Sequence, residues 1–225
     1  VMAWKHDNKN IIFRSRMHSF NSFIGQLFST TIKGDFYKQL PLPTGGFCSF
    51  SGDDSKLAYN RIFREFRTWK RYRGGMADDI WIYDFKTKKT VNITDNPAQD
   101  IIPMWKDNKI YFLSDRDKNK RMNLYVYNID TKELQKLTNF KKFDIKFPSI
   151  GIDNIVFENG GYIYRYNLAS NKYFKVPVHI IDDHFRVKKR FINVKDYIRN
   201  LHVSPHGNRA LFCARGEIFT VPAKH

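Results

Sequence analysis

Apolar and polar residues alternate along this chain in short runs, and one interval recurs. Four times an aliphatic residue opening an aromatic-rich stretch is followed thirteen residues later by another: Leu27 and Leu40, Ile80 and Ile93, Leu124 and Leu137, Ile163 and Val176. Each stretch follows a second apolar run that ends on an aromatic: Ile11-Ile12-Phe13, Leu57-Ala58-Tyr59, Ile110-Tyr111-Phe112, Ile155-Val156-Phe157 and, a fifth time, Ala210-Leu211-Phe212. These aromatics stand 46, 53, 45 and 55 residues apart. Ahead of four of them lies an apolar residue and a polar turn, as in Trp4-Lys5-His6-Asp7 and Phe50-Ser51-Gly52-Asp53. Asp, Asn and Gly there supply the chemistry of tight hairpins.

Each unit reads as four short antiparallel strands, a to d, with period-two alternation and β-branched or aromatic content. A repeated four-stranded unit of about 40 to 50 residues is the sequence form of a β-propeller blade. The predicted fold is all-β, a partial ring of about four blades plus the start of a further one. No stretch keeps a 3.6-residue period with caps at both ends. An all-β sandwich would not require a fixed thirteen-residue step. Residues 1–4 already follow the strand-a pattern, and the partner of Ile218 would fall beyond His225. The chain is therefore expected to be a stretch of a longer polypeptide, with any targeting signal outside it.

With 225 residues, 42% of them hydrophobic and 16% aromatic, the chain is able to bury a core. It has no apolar run of the roughly 18 residues a membrane helix needs, so no membrane partner is expected. Cys48 and Cys213 are lone thiols without a CxxC spacing and read as small core residues in a reducing compartment. The net charge of +17 raises the question of an anionic partner. Much of it is scattered through turns, at Lys118, Lys120 and Arg121, at Lys141 and Lys142, and from Lys188 to Arg190. Scattered lysines read as solvation, and no nucleic-acid partner is expected.

The b–c loop is the variable element, taking 14, 21, 12, 6 and 6 residues in successive units. The longest contains Arg61-Ile62-Phe63-Arg64-Glu65-Phe66-Arg67-Thr68-Trp69-Lys70-Arg71-Tyr72-Arg73-Gly74-Gly75, with six cations against one acid. In an antiparallel meander, b–c loops share a face with the connections between blades, and insertions on one face of a repeat array usually carry its binding. Forked guanidinium groups suit carboxylate or phosphate, and Trp69 and Tyr72 are placed to stack. The alternative is that these side chains tie a long hairpin to its own blade, with Asp78 and Asp79 as counter-charges. Asp115-Arg116-Asp117-Lys118-Asn119 has the alternating acids of a calcium loop but lacks its sixth-place Gly and closing Glu, and reads as a hairpin turn. No HExxH, GxSxG or arguable triad is present, so no catalytic residue, metal or cofactor is expected.

The stretch from Thr68 to Gly75, running on to Asp79-Ile80-Trp81-Ile82, resembles the tricorn protease family, where a similar segment sits in the N-terminal propeller. Further matches follow in the family's order: Pro103-Met104-Trp105, Ile110-Tyr111-Phe112-Leu113-Ser114-Asp115-Arg116, Asn123-Leu124-Tyr125, Ser204-Pro205-His206-Gly207-Asn208-Arg209-Ala210 and Ala214-Arg215-Gly216-Glu217-Ile218-Phe219. The resemblance implies a large, oligomeric, cytoplasmic serine peptidase that trims short peptides, with a periplasmic homologue left open. It implies a six-bladed propeller, a seven-bladed one, and downstream PDZ-like and catalytic domains in the same polypeptide. In that layout residues 1–179 are the last four blades of the first propeller, 180–198 the linker and 199–225 the first strands of the second. The family's basic pair for the substrate's C-terminal carboxylate maps onto Arg71 with Lys70 or Arg73. A stand-alone TolB- or WD-like propeller that scaffolds protein partners is the alternative.

Overall fold

The computed structural model describes residues 2–19, 24–62, 72, 74, 77–181 and 187–224. They form two compact units, 1–177 and 178–225.

The first unit holds four sheets, each a four-stranded antiparallel meander in chain order. Sheet one is β1 (Ala3–Trp4), β2 (Asn10–Ser15), β3 (Gln26–Thr31) and β4 (Lys38–Gln39). Sheet two is β5 (Cys48–Phe50), β6 (Lys56–Asn60), β7 (Ile80–Asp84) and β8 (Thr90–Asn92). Sheet three is β9 (Asp100–Lys106), β10 (Lys109–Ser114), β11 (Asn123–Asn128) and β12 (Leu134–Lys136). Sheet four is β13 (Ile145–Ile150), β14 (Asn154–Asn159), β15 (Tyr162–Asn167) and β16 (Lys172–Lys175). This is the blade architecture that the repeat predicts.

The thirteen-residue step has a direct physical cause. In all four sheets the later residue's amide donates to the earlier residue's carbonyl: Leu40 to Leu27 at 2.9 Å, Ile93 to Ile80 at 3.0 Å, Leu137 to Leu124 at 2.8 Å and Val176 to Ile163 at 2.8 Å. The c–d turn that sets the interval is also repeated. Oδ1 of Asp84 accepts from the amides of Lys86 and Thr87, Asn128 does the same for Asp130 and Thr131, and Asn167 for Ser170. Four residues after each of these side chains comes a left-handed residue, Lys88, Lys132 or Asn171, with φ of 56°, 61° and 54°. The strand-b aromatics stand opposite strand-c aromatics in register, Phe13 with Phe28, Tyr59 with Trp81, Phe112 with Tyr125 and Phe157 with Tyr164. Three of these pairs stack with centroids 5.5, 6.2 and 5.8 Å apart, a cross-strand contact worth a fraction of a kcal/mol to about 1 kcal/mol.

Period two along each strand sends alternate side chains to opposite neighbours. Leu57 and Tyr59 of β6 pack with Ile12 and Leu27 of sheet one, while Ala58 between them packs with Ile110 and Phe112 of sheet three. Tyr111 and Leu113 point the other way, into a layer with Ile145, Ile155 and Phe157 of sheet four. The first strands converge, β1 touching β5, β5 touching β9 and β9 touching β13. The fourth strands are largely exposed.

Strand a carries a repeated irregularity. Register shifts occur in β9 and β13, and their third residues, Ile102 and Phe147, are left-handed at φ 58° and 50°. For a β-branched residue such as Ile102 that conformation is strained by about 1–3 kcal/mol. Asn60 holds it in place. Fully buried, Asn60 accepts from the Ile102 amide at 3.0 Å and donates to the carbonyls of Asp79 and Asp100 at 2.9 and 2.8 Å.

The second unit contains a short 3-10 turn, Lys195–Tyr197, and a three-stranded antiparallel sheet of β17 (Ile198–Val203), β18 (Arg209–Ala214) and β19 (Glu217–Pro222). It repeats the blade grammar, with Phe212 opposite Phe219 at 5.6 Å and a bulged first strand whose Asn200 has φ 52°.

Candidate functional site

The long b–c insertion leaves β6 at Arg61 and returns to β7 at Ile80. Lys70, Arg71 and Arg73, its candidate carboxylate ligands, lie outside the described residues. The root of the insertion is described. The Arg61 guanidinium lies 5.2 Å from the centroid of Trp81, a cation–π contact that holds the outgoing chain against β7. Gly74 turns beside Tyr72, where an added Cβ would collide with the phenol oxygen. A further turn bond runs from the Ala77 amide to the Gly74 carbonyl at 2.8 Å. Arg61, Ile62, Asp79 and Asn96 help to line a cavity of about 190 Å³ at this root.

Acids gather where the insertion meets the strand-a entrance of sheet three. Asp78, Asp100 and Asp115 are buried. Arg116 reaches both carboxylate oxygens of Asp100 at 3.0 Å, and its guanidinium lies 5.6 Å from the Phe112 ring and 5.3 Å from the Tyr125 ring. Burial pushes the Asp100 carboxyl up, against the pull of Arg116 and of hydrogen bonds from Ser114 and Asn96. Asp79 is likewise raised, first by burial and then by the nearby Asp100 and Asp95 charges, while Asn92 and Thr94 favour its ionised form. Asp115 accepts the Gln99 amide at 2.9 Å, and Asp117 accepts the Asn119 amide at 2.9 Å and pairs with Lys136. The alternating acids of 115–119 thus brace a hairpin turn.

A second feature lies at the inner edge. The four first strands line a cavity of about 500 Å³, with Trp4, Phe50, Met104, Trp105, Phe147 and Ile150 in its wall. Among the described residues, none that lines it is Asp, Glu, Lys or Arg. His6 Nδ1 sits 2.8 Å from Asp54 Oδ1, joining the a–b turns of sheets one and two. Cys48 also lines it, its thiol pushed up to about 12 by burial, far from nucleophilic use. Among the described residues, no histidine is hydrogen-bonded to a serine hydroxyl or a cysteine thiol. Also among them, no cluster of His, Cys, Asp or Glu is arranged to hold a metal, and no helix is long and apolar enough to cross a membrane.

The described residues thus combine meander blades and a converging inner edge, and the sequence adds a basic insertion between β6 and β7. Residues 1–172 match the family model of the tricorn protease N-terminal β-propeller domain. The chain belongs to this family. The tricorn protease homolog of Saccharolobus solfataricus is 29% identical over 181 residues, covering 79% of this chain and 16% of that protein. The tricorn protease of Thermoplasma acidophilum is 25% identical over 219 residues, covering 97% of this chain and 20% of that one. The crystal structure of the tricorn protease superposes with a TM-score of 0.72 at 23% identity, over 95% of this chain and 20% of that chain. TolB from Acinetobacter baumannii superposes with a TM-score of 0.61 at 15% identity, over 99% and 53% of the two chains, a likeness of fold alone. The chain therefore spans about a sixth to a fifth of the tricorn relatives' length.

Two features escape sequence reasoning. The Asp100–Arg116 pair joins residues 16 apart that no single motif spans, and Asn60 is one asparagine among many. Only burial singles them out.

Proposed function

We propose that this tricorn-family segment is a non-catalytic part of a serine peptidase that trims short peptides. Its four sheets line a passage, and the 61–75 insertion anchors the peptide's C-terminal carboxylate through Arg71 with Lys70 or Arg73. The observation that carries this reading is the charge of the insertion, six cations against one acid, on a propeller that belongs to a peptidase family. Support also comes from its root, where the Arg61 guanidinium lies over Trp81 of β7 as the loop leaves β6. Residues 1–179 are the last four blades of a six-bladed propeller in this reading, 180–198 a linker and 199–225 the first strands of a second propeller. The partners are short peptides, the PDZ-like and catalytic domains of the same polypeptide, and further copies in a cytoplasmic homo-oligomer.

The test is Arg71→Ala in the full-length protein, assayed on matched short peptides with free and amidated C-termini. A charge-assisted hydrogen bond of about 1.5–3 kcal/mol corresponds to a loss of roughly tenfold or more in kcat/KM, confined to the free-carboxylate peptides. Equal losses on both would overturn the anchoring role. Absence of activity on either peptide would favour a binding propeller instead.

A further inference from the structure

On sheets three and four, two stretches that read in sequence as scattered solvating charge meet. The b–c turn of sheet three brings Arg121, and the connection into sheet four brings Lys142. Together with Lys146 at the start of β13 they line a cavity of about 330 Å³, closed on one side by the β14–β15 turn. That turn is Gly160-Gly161, with φ of 61° and 84°, the two-residue form in which both central residues are left-handed. A Cβ on Gly160 would come within 2.6 Å of the Phe143 ring, so glycine there leaves the ring its place. The Lys142 ammonium lies 5.3 Å from the centroid of the same ring.

The acids in this wall are engaged with backbone amides. Asp144 Oδ1 accepts from the Met122 amide at 2.8 Å, and Glu158 Oε1 accepts from the Gly161 amide at 2.6 Å. Among the described residues none of the three cations forms an ion pair. The Nε–H of Arg121 is buried without a hydrogen-bond partner, an arrangement that ordinarily costs about 1–3 kcal/mol or more on a charged group. A guanidinium with a buried, unpartnered Nε–H, in a cavity wall that also carries two lysines, is the chemistry of an anion site. Three cations against two acids leave one net positive charge, which matches a single carboxylate better than a doubly charged phosphate. The cavity is built from a b–c turn and an inter-sheet connection, as is the cavity at the root of the basic insertion, so the two open on the same end of the sheets.

We propose that Arg121, Lys142 and Lys146 form a second anion subsite that takes the carboxylate of an acidic side chain in the bound peptide. This rests on the peptide-binding reading above and deepens it, since it selects peptides carrying Asp or Glu upstream of the anchored terminus. The experiment measures dissociation constants by calorimetry on the full-length protein. Its probes are acetyl-Ala-Glu-Ala-amide, acetyl-Ala-Gln-Ala-amide and acetyl-Ala-Gln-Ala with a free C-terminus. The Glu amide is expected to bind about tenfold tighter than the Gln amide, the size of one charge-assisted hydrogen bond. Arg121→Gln/Lys146→Gln should abolish that preference, and Arg71→Ala should leave it intact. Equal binding of the Glu and Gln amides by the unmodified protein overturns the subsite without recourse to any variant. A preference that survives in the double variant overturns it too. The free-terminus peptide reads the other site: its advantage over the Gln amide should vanish in Arg71→Ala, and its failure to do so strikes the anchoring role alone. No binding of any of the three removes the peptide reading and the subsite together.

Discussion

At one end of the sheets the c–d turns repeat their hydrogen bonds from blade to blade, whereas at the other end the b–c loops share neither length nor chemistry. The c–d end uses one device, an Asp or Asn accepting local amides before a left-handed residue, in sheets two, three and four. The b–c end has a two-residue glycine turn in sheet four, a hairpin braced by its two aspartates in sheet three and the basic insertion in sheet two. The inner cavity adds a third environment, lined by many apolar side chains and, among the described residues, by no acids or strong bases. Backbone geometry fixes the repeated end, because a strand pair closed by one turn type must keep one register. The variable end is free to differ, and charge has accumulated there, around the insertion and around Arg121.

Arg116→Ala tests that division most severely, because it places a structural ion pair on the variable end. Asp100 is fully buried, and removing the guanidinium whose Nη2 donates to both of its oxygens leaves an uncompensated charge at a cost of about 3–5 kcal/mol. Burial already raises the Asp100 carboxyl above its ordinary value, and loss of Arg116 raises it further. The folded state then holds a proton that the unfolded chain releases at lower pH. Stability therefore falls as pH rises, and the variant's deficit should be larger at about pH 8 than at about pH 5. Hydrogen exchange of the β9–β11 amides in the full-length protein measures it. A deficit that does not change with pH would mean that Asp100 is not the group left stranded.

Much of the framework was legible in the chain for a reason specific to it. The step from Leu124 to Leu137 is a hydrogen bond, so the interval cannot drift without losing it, and the pattern survives in four units. The aromatic spacing was equally readable because Phe112 and Tyr125 face each other across one register. What stayed hidden involves residues distant in sequence and ordinary in type. Asn60 reaches Ile102 across two sheets, and Arg121 meets Lys146 only after the chain has passed through β11 and β12. The basic insertion was visible by composition, while the pairing of its cations depends on positions outside the described residues.

A subtler device sits where strand c begins. Thr138 accepts the Leu124 amide at 2.9 Å and donates to Asn123 Oδ1 at 3.0 Å, one residue beyond the thirteen-residue partner. Thr94 accepts the Ile80 amide at 2.8 Å in the same position, but its bond to Asp79 is longer, at 3.4 Å. Thr138→Val should therefore cost about 1–3 kcal/mol by orphaning the buried Leu124 amide, while Asn123 Oδ1 keeps the Phe140 amide at 2.7 Å. The exchange rate of the Leu124 amide should rise accordingly. An unchanged rate would show that the step is held by the strand ladder alone.

The smallest effect belongs to the exposed a–b turns, and its signature is pH rather than magnitude. The amides of Lys9 and Asn10 and the side chain of Asn10 donate to Asp7, holding its carboxyl at about 2. Bonds from the Ser51 hydroxyl and the Ser55 amide do the same for Asp53. Because the folded values lie below the ordinary 3.8, the contribution is complete above that value and is lost as pH falls through about 2. Asp7→Asn keeps an oxygen that can accept the same amides but removes the titration. The Lys9 amide shift should then stay flat across the acid range in which the parent protein's moves. If both proteins show the same acid transition, the turn is held by its backbone geometry and the carboxylate is incidental, which would place the a–b turns with the c–d turns as products of register alone.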